Sequence, residues 1–454
     1  MPRQPARPVV SEPNGRGWTE AVTAGRLGAA LLDAGTSVTD VHRVVVRAHR
    51  RRPGAADHSF AVLPTAVLIS DPGTGETRTV FAGDGALSIR QGAAVHRLAR
   101  SLETDRLSSD PGLASAEVDT ALLRIRAMTR PHPMLPMIVG NLLLSTGLAA
   151  VFRCPWWATL GAAVIGGLLA ALLQMTRRIT GVGAVAPFAV GLISASLVGL
   201  FAGATDLHAV PVFAVCAPIA ILVPGTLIAN GLLELTASDI VTGASRVVYG
   251  VIVLLFMAAG VGAGAGLTHL RFLGGATTLL GQPGTNGGSA ELWNALPPTW
   301  VAWPAVALIA LGIGLYSDSG VRIALLWIPV MLATYLGVQL LSPTVGTPIA
   351  TGATAAVLCV AARAIGARVP DLPAPTVFLP AFLLLVPGTV GLTALASLRA
   401  GEAGVISAAS TFLALCIGVS IGSFATASLM PRSRPRADHA PDLARRTGPS
   451  PLDA

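Results

Sequence analysis

Two Pro-Gly pairs interrupt stretches that are otherwise apolar: Leu222-Val-Pro-Gly-Thr226 and Leu385-Val-Pro-Gly-Thr389. Proline has no N–H, so a helix through Pro224 leaves the carbonyl of Ala220 without its partner, and one through Pro387 does the same to Leu383. Gly225 and Gly388 weaken the helix further. Inside an apolar span such a break is tolerated only where the backbone lines a cavity or is buried in protein. Beyond the break a new helix, starting at Thr226 or Thr389, would present free N–H groups and a positive dipole end to a carboxylate. The freed carbonyls could take an ammonium, and Thr226, Asn230, Thr389 and Thr393 could hydrogen-bond a short hydroxylated ligand. Pro224, Gly225, Thr226, Asn230, Pro387, Gly388, Thr389 and Thr393 are therefore the candidate ligand site. The plainer alternative is a Pro kink in each helix, without a ligand.

Glu234, Asp239 and Glu402 are the acids nearest these segments, and as coupling carboxylates they could exchange protons. They also have local readings. Thr236-Ala-Ser-Asp239 fits a capping box opening the next helix, and Glu402 falls in a first helical turn. Cys154, Cys216, Cys359 and Cys416 lie in or beside apolar stretches and form no CxxC pair, so no metal, disulfide or cofactor is expected. No phosphate-binding loop motif is present, which argues against ATP as the energy source.

The elements that must position these groups follow from how charge is distributed. The chain has 454 residues, 12% charged and 52% hydrophobic, with mean hydropathy +0.67. A soluble domain carries about 25% charged residues. Residues 1–134 hold 17 Arg and 13 acids, whereas residues 135–431 hold 9 Arg and 7 acids over 297 positions. Every basic residue is Arg, so the high pI reflects composition and is no sign of nucleic-acid binding. The expected organisation is a soluble cytoplasmic domain at 1–134, membrane repeats at 135–267 and 299–430, a Gly-rich extracytoplasmic linker at 268–298 and an Arg-rich cytoplasmic tail at 431–454.

In the head, helical spacing covers Thr19–Ala34, Val38–Arg51, Arg90–Leu107 and Ala116–Met128. His58–Ser70 and Thr77–Phe81 read as two strands joined by the turn Asp71-Pro-Gly-Thr-Gly75, giving a small α+β domain. His42, His49, His58 and His96 accompany Asp33, Asp40, Asp57 and Asp84, but no hydrolase motif links them. A hydrolase held by a membrane anchor is the alternative to a transport role.

Ten stretches are long enough to span a bilayer: 135–152, 156–175, 182–203, 209–235, 246–267, 299–316, 321–342, 345–365, 376–398 and 402–428. With both termini cytoplasmic, inside loops carry six Arg and outside loops three, in keeping with the positive-inside rule. Trp156, Trp157, Trp300 and Trp303 then fall at the outer interface. The two Leu-Val-Pro-Gly-Thr segments are 163 residues apart, and at that offset Asp239 meets Glu402. Each lies in the fourth span of five, an odd number, so the halves would be inverted repeats as in many secondary transporters. The fold class expected is an all-α polytopic membrane protein of ten helices in two inverted five-helix repeats, preceded by the α+β domain.

Leu31-Leu-Asp-Ala-Gly-Thr-Ser37 with Asp40-Val41, Leu222-Val-Pro-Gly-Thr226 with Ser238-Asp239, and Leu385-Val-Pro-Gly-Thr389 with Glu402 resemble the signatures of the threonine/serine exporter family. The second membrane signature departs from the family pattern, reading Arg399-Ala-Gly-Glu402 where a Ser-Gly-Asp-like segment is expected. The resemblance implies a multi-pass plasma-membrane exporter of small hydroxy amino acids, driven by the proton-motive force and not an enzyme. Its partners would be an amino acid, protons, the lipid bilayer and a second copy of the chain in a homo-oligomer. Another small acid, such as a dicarboxylate, is the alternative substrate.

Overall fold

The structure, a computed structural model, describes residues 16–50, 57–83, 85–103, 111–128, 134–176, 182–207, 209–272, 295–368, 374–385 and 402–429. The head runs α1 (Arg16–Asp33), α2 (Val38–Arg50), β1 (Ser59–Leu63), β2 (Ala66–Ser70), β3 (Thr77–Phe81), α3 (Ile89–Glu103) and α4 (Pro111–Arg126). The strands form one antiparallel sheet in that order, with Leu63 opposite Ala66 and Ser70 opposite Thr77. The single strand expected at His58–Ser70 is thus a hairpin, turning at Pro64-Thr65. Pro64 cannot donate to a ladder, and the apolar run on both sides of it hid the turn. Leu27, Leu31, Val41, Val45, Val67, Ile69 and Val118 close the head core between helices and sheet.

The body begins with α5 (Met134–Val151), α6 (Trp156–Thr176) and α7 (Val182–Ala204). Next come α8 (Val212–Ile219), α9 (Gly225–Thr236) and α10 (Ile240–Leu267). The rest is α11 (Ala302–Tyr316), α12 (Val321–Val345), α13 (Thr347–Arg368), α14 (Ala374–Leu385) and α15 (Glu402–Leu429). Among the described residues seven helices are long and apolar enough to cross a membrane, eight if the bent pair α8 and α9 counts as one, against the ten expected. The chain is therefore a multi-pass membrane protein. α14 and α15 lie where the ninth and tenth spans are expected; residues 386–401, with Pro387, Gly388, Thr389 and Thr393, are outside the described residues. α10 starts earlier than its expected span, so Arg246 lies within the helix and not in a loop. Its charge is tolerated there because an acid from α9 meets it, as described below.

The head sits against one end of the body. The N–H groups of Ile89 and Arg90 donate to the carbonyls of Ser317 and Asp318 at 3.2 and 3.1 Å, and Arg100 Nη2 donates to Gly366 O at 3.3 Å. At the other end Arg153 Nε donates to Pro297 O at 3.2 Å and Val210 N to Arg271 O at 3.0 Å.

α5 and α11 cross almost backbone to backbone. A Cβ at Gly140 would lie 2.6 Å from the Tyr316 nitrogen and 2.8 Å from the Gly312 carbonyl oxygen, and one at Gly312 would lie 2.6 Å from the Gly140 oxygen. In lipid, where apolar burial gives little drive, such close contact is what holds helices together. Gly140→Val should therefore lower the melting temperature in detergent, in line with an overpacking cost of about 2 kcal/mol. Gly161→Val, where a Cβ meets nothing within 4 Å, should leave it unchanged.

Candidate functional site

The fourth membrane segment is broken where the sequence places Pro-Gly. α8 gives way to a 3₁₀ turn at Ala220–Leu222, and α9 leaves at 67° to it. Pro224 is the N-cap and the helix resumes at Gly225, one residue before the start expected at Thr226. The Ala220 carbonyl, expected to be freed, accepts the N–H of Val223 at 3.1 Å, because the chain tightens into the 3₁₀ turn. Other carbonyls of α8 are met from neighbouring helices. Ser194 Oγ donates to Val215 O at 2.8 Å, and Asn141 Nδ2 to Pro218 O at 3.3 Å. On the far side Gly225 N donates to Val223 O at 2.7 Å and Ile228 N to Pro224 O at 3.1 Å. The N–H groups of Thr226 and Leu227 carry no hydrogen bond among the described residues.

That end of α9 opens into a cavity of about 630 Å³ between body and head. Gly225, Thr226, Asn230 and Arg246 line it from the body, and Gly35, Thr36 and His96 from the head. Asn230 is 5% exposed and its Oδ1 has no partner. Thr226 is exposed to the cavity, while Pro224 is buried.

The same helix receives the head. α1 ends at Asp33, and Gly35 at φ +77° lets the chain reverse: its N–H reaches Leu32 O at 2.9 Å, and that of Thr36 reaches Leu31 O at 3.1 Å. Ser37 then caps α2, its hydroxyl accepting from the N–H of Asp40 at 3.2 Å. This corner is laid along α9. Asn230 Nδ2 donates to Gly35 O at 2.9 Å, the Val38 N–H donates to Glu234 Oε1 at 2.8 Å, and the Thr39 hydroxyl donates to Asp239 Oδ2. Glu234 is fully buried, and its Oε1 also meets Arg246 Nη1 at 2.9 Å.

The structure thus brings Gly225, Thr226, Asn230 and Glu234 into one neighbourhood, with Asp239 at its margin. Glu402 opens α15, and the four residues of the second Pro-Gly segment lie outside the described residues. The capping box at Thr236–Asp239 does not form. Asp239 holds the N-cap position without a side-chain cap bond, and its carboxylate faces Thr39 instead. Sequence reasoning missed Thr36, Val38, Thr39, His96 and Arg246. The signal was the Asp-Ala-Gly-Thr-Ser segment, whose helix stop and helix cap mark a corner with nothing local to bind.

The head histidines do not converge. His42 is exposed, while His49 and His58 stack edge-on at 5.4 Å beside Trp18 and Phe60. His96 alone of them reaches the cavity, where its Nε2 lies 3.1 Å from Thr36 Oγ1. Burial pushes its pKa down to about 4.

Residues 22–268, more than half of the chain, match the family described as "putative threonine/serine exporter". The chain belongs to this family. No curated protein and no solved structure matches it. The region shared with the exporter family holds the head from α1 onward and the body through α10, so both partners of the head-to-α9 contact lie within it.

Two outcomes follow from these contacts. Glu234→Ala leaves the Arg246 charge buried and unpaired, which costs about 3–5 kcal/mol, whereas Glu234→Ala with Arg246→Met removes both charges and should melt closer to wild type. Because the folded pKa of His96 lies below its ordinary value of 6.5, the unfolded chain binds the extra proton between about 6.5 and 4. The stability due to this group is complete above about 6.5 and is lost as pH falls toward 4. His96→Asn should flatten that part of a melting-temperature profile.

Proposed function

We propose that this chain is a secondary active exporter of small hydroxy amino acids, with threonine and serine its substrates. The observation that carries this reading is the broken helix. The unbonded N–H groups of Thr226 and Leu227 and the unpartnered Oδ1 of Asn230 border one cavity. A helix N-terminus suits an α-carboxylate, reinforced by Arg246, and a buried amide oxygen suits an ammonium. A cavity of about 630 Å³ is within the size range of small-molecule sites.

Transport proceeds by alternating access between two inverted five-span halves, with both termini in the cytoplasm. Recurrent packing supports this. The third and fifth helices of the first half, α7 and α10, pack through Gly191 and Gly260; α13 and α15 pack through Gly352 and Gly418. The first helices of the two halves, α5 and α11, cross at Gly140 and Gly312. Protons drive export by way of Glu234 and Asp239, with Glu402 their counterpart. A proton on either of the first two removes the negative acceptor that holds Val38 or Thr39 of the head. Pro387, Gly388, Thr389 and Thr393 supply the matching half of the site.

Proteoliposomes preloaded with threonine, serine, alanine or a dicarboxylate, under an imposed proton gradient, provide the test. Saturable threonine and serine efflux that rises with the gradient is expected. Efflux equal to that of empty liposomes across the panel would overturn the reading. Pro224→Ala with Gly225→Ala restores helix formers worth about 4 kcal/mol at the break and should cut efflux at least tenfold while the protein remains folded.

A further inference from the structure

The transport reading gives the head no part in binding the substrate, yet the cavity is only half built by the body. Its other wall is the α1–α2 corner and one face of α3. Three features tie that wall to binding. First, Gly35 O holds Asn230 Nδ2 at 2.9 Å, so the head orients the amide whose Oδ1 is left as acceptor. Second, Thr36 is 2% exposed and its hydroxyl meets His96 Nε2, which fixes the imidazole and leaves Nδ1 without a hydrogen bond among the described residues. Third, the wall offers neutral hydrogen-bonding groups. His96 is uncharged at neutral pH, and Asp33, the acid that lines the cavity, is paired with Arg126 at 2.6 Å.

We propose that the head forms the second wall of the substrate site, and that the bound amino acid lies between the α9 N-terminus and α3 with His96 and Thr36 facing its side chain. The inference rests on the transport reading above and adds the determinant of side-chain choice. The body wall takes the carboxylate and ammonium, which all amino acids share. The head wall takes the hydroxyl, which separates threonine and serine from alanine. With Nε2 taken by Thr36, Nδ1 of the neutral imidazole is left as a single donor or acceptor, either of which a hydroxyl can meet and a methyl cannot, so alanine would leave it unsatisfied.

The test uses the full chain in detergent with a single cysteine reporter. The native cysteines Cys154, Cys216 and Cys359 are buried and Cys416 is half-buried, so background labelling by a maleimide is low. Thr226→Cys reports the body wall and His96→Cys the head wall. Threonine should slow labelling at both positions. Protection of Thr226→Cys without protection of His96→Cys overturns the head wall and leaves the transport reading standing; protection at neither overturns both. Should His96→Cys fail to fold, Ala86→Cys reports the same wall from an exposed cavity position. In proteoliposomes His96→Leu should reduce the preference for threonine over alanine about two- to tenfold, as expected for one neutral hydrogen bond. An unchanged preference with wild-type threonine KM overturns the proposal.

Discussion

Polar groups inside an apolar body must find partners, and the broken segment between α8 and α9 is where this constraint acts hardest. An unsatisfied peptide group in hydrocarbon costs several kcal/mol, so the break at Pro224 survives only because the surrounding elements complete it. The 3₁₀ turn takes the Ala220 carbonyl, α7 takes that of Val215, and α5 takes that of Pro218. The N–H groups left over at Thr226 and Leu227 open into the cavity. Carbonyls before the break are met by neighbouring groups while these two N–H groups after it are not, and the proposed substrate site uses that asymmetry.

The same constraint explains the head. A fully buried carboxylate such as Glu234 is stable when its charge is both paired and hydrogen-bonded. Arg246 supplies the pair from α10, and the first free N–H of α2 supplies the hydrogen bond. A helix N-terminus favours an anion, so α2 is docked by the physics that makes the α9 N-terminus attractive to a carboxylate. Head and body therefore meet through two helix N-termini, one occupied by a side chain of the protein and one left open. Moving the head breaks the Val38, Gly35 and Thr39 contacts together, since all three come from one corner.

Much of the architecture was legible in the order of residues. The charge step near residue 134 separates head from body, and span positions in the first half agree with the helices within a few residues, apart from the early start of α10. These are properties of short windows, where hydropathy and helix breakers act on their own neighbours. The hairpin at Pro64-Thr65 was missed because apolar residues on both sides gave a continuous window. The capping box at Thr236–Asp239 was misread because a local partner was assumed for a side chain whose partner, Thr39, is 200 residues away in sequence.

The sequence by itself determined that the chain partitions into a lipid-soluble body and a polar head, and that its fourth span loses a helix hydrogen bond at Pro224, as a kink or a break. Covalent structure suffices for both, since a missing N–H and a missing charge need no fold to have effect. Tertiary structure decided what the break faces. In the sequence Asn230 and Glu234 lie on one helix as groups available for ligand or ions, and Asp239 lies just beyond it as a coupling or capping acid. Folding gives Oε1 of one carboxylate to Arg246 and Val38, gives the other carboxylate to Thr39, and leaves the Asn230 amide oxygen, Glu234 Oε2 and two backbone N–H groups unfilled among the described residues. Which polar group is satisfied depends on contacts between residues some 200 positions apart, and no local pattern carries that information.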